Sequence, residues 1–320
     1  MKIRLLLSLC LGLLPLLANG QAAGFPNRPL RIMVPFTAGS GADSDSRFYG
    51  DLLSRLWGQP VLVENRPGGS GVIAVQAVKN APPDGHTLLM ATNSPMTVNP
   101  VVMKNLPYDP MKDFRPVIGS NKSPVAFIVK GDSPYKTMRD MVEATRKSGH
   151  PLAVGNYSAG YELVASWLGT VTGLEITHVP YKGGAPMMTD VIGGQVTTGA
   201  IDFSGTIELL KERRLRALAI TADVRHAAFP DIPTMKESGY PDFETWVWSS
   251  FFVRSETPDD VTQKLFEGFR RVMSSPEGRA YRATKPATPL EIGGNELRAF
   301  VTAEYERFKR VAQAAGIQPR

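Results

Sequence analysis

The residues best placed to do chemistry form one run of small and hydroxyl-bearing side chains: Phe36, Thr37, Ala38, Gly39, Ser40, Gly41, Ala42 and Asp43. The run follows an apolar stretch, Leu30 to Val34, bounded by prolines. It precedes Phe48, Leu52, Leu53 and Leu56, which fall at helical spacing before Gly58. A buried strand, a loop and a helix start are implied. The first-turn N–H groups of a helix lack intrahelical partners and carry partial positive charge, so such a loop suits an anion. A tight turn whose glycines only reverse the chain has the same pattern, and this stretch alone does not separate the two. Asp43 reads as the N-cap of the helix rather than as a ligand contact.

Three further loops fall at the ends of expected strands. They contain Thr92, Asn93 and Ser94; Tyr157, Ser158, Ala159, Gly160 and Tyr161; and Tyr181, Lys182 and Gly183. Open parallel sheets bind ligands beyond the carboxyl ends of their strands, so the loops should face one place. A carboxylate there would be held by backbone N–H groups and by the hydroxyls of Thr37, Ser40, Ser94 and Ser158, without any arginine. Lys182 either adds positive charge or points to solvent.

Catalytic constellations are missing from the pattern. None of His86, His150, His178 and His226 stands in an HExxH context or four residues from another. Ser158 lies in GNYSAG, where Asn156 breaks the GxSxG elbow, and Gly39 to Ser44 does not satisfy GxGxxG. Cys10, the only cysteine, falls within the first twenty residues. We therefore expect no enzyme, no metal site and no cofactor. The net charge of +6 is spread out, and its tightest basic cluster, Lys211 to Arg216, contains Glu212, which argues against nucleic acid.

The elements that must carry these loops follow from periodicity. Residues 1–23 read as a secretory signal peptide, with Lys2 and Arg4 before an apolar stretch from Leu5 to Leu17 and small residues near Gly20 and Ala23. A soluble exported protein is expected. Pro60 to Glu64, a helix from Val72 to Lys79 and the strand Thr87 to Thr92 then continue a strand, helix, strand, helix, strand order that predicts a parallel sheet. Phe114 to Lys130 reads as a long extended crossing interrupted at Gly119 to Pro124. A second set of alternating strands and helices follows, in which Pro186 suits a first helical position and Gly193 a helix stop. The aromatic stretch Phe243 to Val253 reads as the return crossing, and two helices close the chain. The expected architecture is α/β, with two lobes joined by two crossings: residues 24–118 with 250–320, and residues 119–249. Such a hinged clamp holds its ligand between the lobes.

Several stretches resemble the periplasmic solute receptors of tripartite tricarboxylate transporters, also called Bug receptors: RPLRIMVPFTAGSGADSDSR, LWGQPVLVENRPGGSGVIAVQAV, PPDGHTLLMATN, NPVVMKNLPYDPMKDFRPV and HVPYKGGAPMMTDVIGGQV among them. The combination of ENRPGG, LPYDP and VPYKGG is specific to that group. The resemblance implies a periplasmic-binding-protein fold of type II-like form and a small carboxylate as ligand. It also implies a membrane permease as partner, and a monomer is expected. In that family the loops matching Pro35 to Asp43 and Tyr157 to Gly160 grip the carboxylate through main chain and ordered water.

Departures from the family fall at Ser40, where glycine is usual, and at Gly160 and Leu163, where a hydroxyl residue and a histidine are usual. Thr197 and Ala200 replace acidic and aromatic residues. With Tyr157, Tyr161, Trp246 and Trp248 nearby, a carboxylate with an apolar or aromatic part is expected. An exported sensor for a membrane signalling partner would share the same binding features, and a secreted hydrolase would need the catalytic set that is missing.

Overall fold

Short apolar runs bounded by turn residues become strands covered on both faces, and the amphipathic stretches between them become the covering helices. In the computed structural model, which describes residues 24–285 and 287–319, the chain begins with β1 (Leu30–Val34), α1 (Gly41–Trp57), β2 (Val61–Asn65), α2 (Val72–Lys79) and β3 (Thr87–Thr92). The expected leader, residues 1–23, lies outside the described residues. Two short helices, α3 (Asn99–Val102) and α4 (Pro110–Asp113), lead to the 17-residue strand β4 (Phe114–Lys130). There follow α5 (Met138–Ser148), β5 (Leu152–Asn156), α6 (Ala159–Thr172), β6 (Ile176–Pro180), α7 (Gly184–Gly193) and β7 (Thr198–Asp202). Then come α8 (Ile207–Lys211), β8 (Leu215–Ile220) and β9 (Trp246–Arg254). The chain closes with α9 (Asp259–Met273), α10 (Pro276–Ala283), β10 (Thr288–Pro289) and α11 (Gly294–Ala314).

The strands form one curled sheet in the order β2-β1-β3-β9-β4-β7-β5-β6, with β10 and β8 also paired to β4. Its two ends are parallel, β2-β1-β3 on one side and β7-β5-β6 on the other. Strand β4 joins them. Its first part, Phe114 to Pro124, runs antiparallel to β9, and its second part, Val125 to Lys130, pairs with β7 and β8. The two crossings are thus neighbouring antiparallel strands. The interruption expected at Gly119 to Pro124 is instead a pair of register shifts, at Pro116/Ile118 and Gly119/Asn121, which bend a continuous strand.

Alternation along each strand feeds two core layers. Ile32, Val34, Leu88 and Met90 pack with Leu52 and Leu53 of α1 and with Leu265 and Phe269 of α9. The intervening Met33, Leu89 and Ala91 face Val75 and Val78 of α2 and Leu297 and Val301 of α11. The second half repeats the scheme, Phe127 and Val129 against α5 and α6, Ala126 and Ile128 against α7. Burial on both faces explains why these strands read as unbroken apolar runs.

Most helix signals fall where the residues place them, including the capping box of Thr137 and Asp140 and the left-handed Gly58 after α1. Helix α7 differs. It starts at Gly184, which makes Pro186 its third residue, and its left-handed cap is Gly194 rather than Gly193. Helix α10 was not foreseen, although Ser275 followed by Pro276 is a cap with proline at the first position.

Candidate functional site

The start of α1, the middle of the two crossing strands and the loops of the second half enclose a small cavity of about 50 Å³. Phe36, Ser40, Gly41, Ala42, Asp45 and Thr92 line it from the first half, and Tyr157, Tyr161, Asp202 and Ser204 from the second. Asn121, Ser123 and Trp248 come from the crossings, and Lys285 from the segment after α10. That volume holds a few waters, so a larger guest requires the halves to part.

The first turn of α1 is built differently from expectation. Ser40, not Asp43, is the N-cap: its backbone is extended and its Oγ accepts the Asp43 N–H at 3.2 Å. Asp43 sits three residues further on and is turned away from the cavity. Its carboxylate accepts from the Gly39 N–H at 2.9 Å, from Asn65 Nδ2 at 2.9 Å and from Arg47. Burial pushes this carboxyl up, but the Gly39, Arg47 and Asn65 donors together outweigh it and hold it below the ordinary range. The Gly39 N–H is therefore spent inside the loop. The donors that the capping geometry leaves at the cavity belong to Gly41 and Ala42.

Two residues along the same helix, Asp45 points into the cavity wall. It accepts from Tyr281 OH at 2.9 Å, from Ser120 Oγ at 3.2 Å and from Asn121 Nδ2. Burial raises its carboxyl, partly offset by those donors and by Lys285. Across the cavity, Asp202 Oδ1 accepts from Ser204 Oγ and from the Gly205 N–H at 3.0 Å, and burial raises this carboxyl too. Tyr157 donates to Tyr161 at 2.9 Å between hydroxyls, and burial pushes both phenols well above their usual range, so they remain protonated. The lining therefore combines two acids, Asp45 buried and Asp202 half-buried, with two phenols and a single lysine.

Of the residues singled out from sequence, the structure brings Phe36, Ser40, Gly41, Ala42, Thr92, Tyr157 and Tyr161 to the cavity. The others stand elsewhere. Ala38 and Gly39 are exposed, and Asp43 is tied into the α1 loop. Ser94 Oγ donates to Ser158 Oγ at 2.9 Å and accepts the Gly160 N–H at 3.1 Å, while the Ala159 N–H goes to Ser70 Oγ at 3.1 Å. Asn93 packs beside Gly160. These are contacts between the two halves of the molecule, not part of the cavity wall. A second such contact joins Thr37 to Gly183, where a Cβ on the glycine would stand 2.1 Å from Thr37 Oγ1. Tyr181 OH binds Asp190 at 2.8 Å, and Lys182 is exposed.

His178 lies against Ser166, so Ser158 and the histidine do not form a couple. Among the described residues no group of three or more His, Cys, Asp or Glu side chains could hold a metal ion. No described helix is long and apolar enough to cross a membrane.

Comparison with known proteins places this geometry. The family model described as "Tripartite tricarboxylate transporter family receptor" matches residues 46–317. The chain belongs to that receptor family. Among its relatives, an Agrobacterium vitis protein of the UPF0065 group is 32% identical over 95% of this chain and 89% of its own length. The Bordetella pertussis protein BugT is 28% identical, covering 92% of each chain. Among solved structures, a protein of R. palustris determined with adipate superposes with a TM-score of 0.88 at 32% identity, covering 92% of this chain and all of the other. MatC from Rhodopseudomonas palustris, with bound malate, reaches 0.85 at 26% identity over 90% of this chain and 99% of its own. The α/β clamp of this family member thus has relatives solved with carboxylates.

Lys285, Asp45 and Asp202 were missed as site residues in the sequence, and Trp248 was placed only as an aromatic near the site. Asp45 lay within the quoted FTAGSGADSDSR stretch, one helical turn beyond the loop, and Trp248 within the return crossing. Nothing local distinguishes Lys285 from the other lysines; it reaches the cavity only because α10 folds back onto α1 through Phe48 and Tyr281, stacked at 3.8 Å.

Proposed function

We propose that this protein is an exported periplasmic receptor that clamps a small carboxylate between its two lobes and presents it to the membrane permease of a tripartite tricarboxylate-type transporter. The observation that carries the reading is the cavity itself. It lies at the start of α1, draws its walls from both halves of the sheet and holds the Gly41 and Ala42 donors at a helix N-terminus. Family membership and the adipate and malate complexes of its relatives support the carboxylate.

In this reading the ligand meets Phe36, Ser40, Gly41, Ala42 and Thr92 on one lobe and Tyr157 and Tyr161 on the other. Thr37, Asn93, Ser94, Ser158, Ala159, Gly160 and Gly183 act as the contacts that latch the lobes. The lobes are residues 24–118 with 250–320, and 119–249, hinged where β4 and β9 run side by side. Phe36, Tyr157, Tyr161 and Trp248 give the guest an aromatic surface, which suits a carboxylate with an apolar part. The receptor works without cofactor or catalysis and as a monomer.

Thermal-shift titration of the purified protein with aliphatic and aromatic carboxylates tests the reading. A binding carboxylate raises the melting temperature by mass action. If no carboxylate does so for protein stripped by unfolding and refolding, the proposed ligand class is wrong.

A further inference from the structure

The crossing strand β4 belongs to both halves, and its partners mark where each half takes hold of it. Up to Lys122 it is held by β9 and by β10, which pairs with Asn121 and Lys122 from the first half. From Val125 onward it pairs with β7 and β8 of the second half, and the Val125 N–H donates to Thr221 Oγ1 at 2.8 Å. On the return crossing, the Thr245 N–H donates to the Thr221 carbonyl at 3.2 Å, just before β9 begins. Ser123 and Pro124, opposite Val247 and Trp246, are the joint between these two holds.

One buried carboxylate secures the first-half side of that joint. Asp45, 4% exposed on α1, accepts at Oδ2 from Ser120 Oγ at 3.2 Å and from Asn121 Nδ2, and at Oδ1 from Tyr281 OH at 2.9 Å. Ser120 falls in the register shift between Gly119 and Asn121 and has no facing residue on β9. The Leu290 N–H holds its carbonyl at 3.1 Å, and Asp45 holds its hydroxyl and the next side chain. Hydrogen bonds to a buried carboxylate are strong and directional, so the bulge keeps one place on α1. Asp45 also stands one turn beyond Gly41 on the same helix, so the first turn of α1 and the root of the joint move as one body.

We propose that Asp45 is the positioning residue of the clamp's joint: it fastens the Ser120 and Asn121 bulge of β4 to α1 and so limits how far the second half turns about Ser123 and Pro124. This rests on the two-lobe reading and adds to it the residue that sets the angle. Two arms leave the carboxylate and do different work. The arm to Ser120 and Asn121 sets the lobe angle, whereas the arm to Tyr281 fastens α10 within the first lobe and leaves the angle alone.

The test is the distance between spin labels on the two halves, measured by double electron–electron resonance on protein without added carboxylate. With the only cysteine changed by Cys10→Ser, the labels attach through Leu62→Cys on β2 and Val171→Cys on α6, positions that are 50% and 40% exposed. Asp45→Ala should broaden the distance distribution roughly twofold and shift it to longer values. Asn121→Ala should do part of the same, and combining the two should add nothing to Asp45→Ala, because both remove one shared contact. Tyr281→Phe should lower the melting temperature and leave the distribution unchanged. Asp45→Asn, which keeps the volume but turns an amide N–H against a donor, takes the place of Asp45→Ala should that variant fail to fold. A lowered melting temperature with an unchanged distribution in the Asp45 variant makes the residue merely structural and overturns the proposal. Broadening by Tyr281→Phe as large as that by Asp45→Ala overturns it as well. Gly160→Val, whose Cβ would stand 2.7 Å from Ser94 Oγ, separates this proposal from the reading beneath it. If Gly160→Val lengthens the distance and the Asp45 variant does not, the joint assignment fails and the two-lobe reading stands; if neither does, both fail.

Discussion

Two strand–loop–helix units, β1 to α1 and β5 to α6, carry the same local chemistry, and the structure uses them differently. Both end a buried strand in small and hydroxyl residues and open a helix with a serine cap position, Ser40 in one and Ser158 in the other. At α1 the loop satisfies itself: Ser40 takes the Asp43 N–H and Asp43 takes the Gly39 N–H, so the first two helical donors are left at the cavity. At α6 the first two helical donors, of Ala159 and Gly160, go to Ser70 and Ser94 of the opposite half. One N-terminus is thus a candidate binding surface and the other is spent on contacts between the two halves. The same donors cannot serve both purposes, because a helix N-terminus offers an anion only what its own surroundings have not used.

The largest expected effect of breaking this contrast comes from Asp43. Asp43→Ala removes the buried carboxylate that accepts from the Gly39 N–H, Asn65 Nδ2 and Arg47, and should cost about 3 kcal/mol in urea unfolding. Ser158→Ala, at the matching place in the other unit, loses only a hydroxyl partner of Ser94 and should cost about 1 kcal/mol or less. Equal losses would mean that the two loops are held in the same way.

Next in size is a direct attack on the latch. A Cβ on Gly160 would lie 2.7 Å from Ser94 Oγ and 3.2 Å from Asn93 Nδ2, so Gly160→Val forces the halves apart. Affinity for a ligand found by the titrations should fall roughly tenfold, equivalent to about 1.4 kcal/mol, with a larger radius of gyration in small-angle scattering. Unchanged affinity would remove Gly160 from the latch.

The smallest effect is in the pH dependence of stability. Asp43 is held below its ordinary value of 3.8, so its stabilising contribution is complete above that value and is lost as pH falls through its folded pKa. Asp45 and Asp202 are held above 3.8, so the stabilisation from their neutral forms is complete below it and is lost as pH rises through their folded values. Melting temperature should therefore peak in weak acid. Asp43→Asn should flatten the acid side and Asp202→Asn the other, and a curve that either variant leaves unchanged would contradict the assignment.

Much of the fold was legible because its signals are local. The helix Val72–Lys79 and the strand Thr87–Thr92 have the bounds that their patterns suggest, and the two crossings stand out as the longest extended stretches. Bulges were not, since Gly119 to Pro124 looks like a break until β9 and β10 are seen to keep the strand paired. Within the candidate site, Ser40 rather than Asp43 became the cap because either can cap a helix; the choice depends on Asn65 and Arg47, which offer Asp43 a better set of donors than the cap position would.

The sequence by itself determined the α/β alternation, the two crossings and the resemblance to carboxylate receptors, all of which rest on spacing of a few residues and on contiguous motifs. Tertiary structure alone decided which hydroxyls latch and which line the cavity, and which charges meet inside it. Asp45, Asp202 and Lys285 are separated by 157 and 83 residues along the chain, too far for any local pattern to register. Their shared cavity exists only because α1, β7 and the segment after α10 pack around the crossing strands, and the electrostatics of the cavity depend on that assembly.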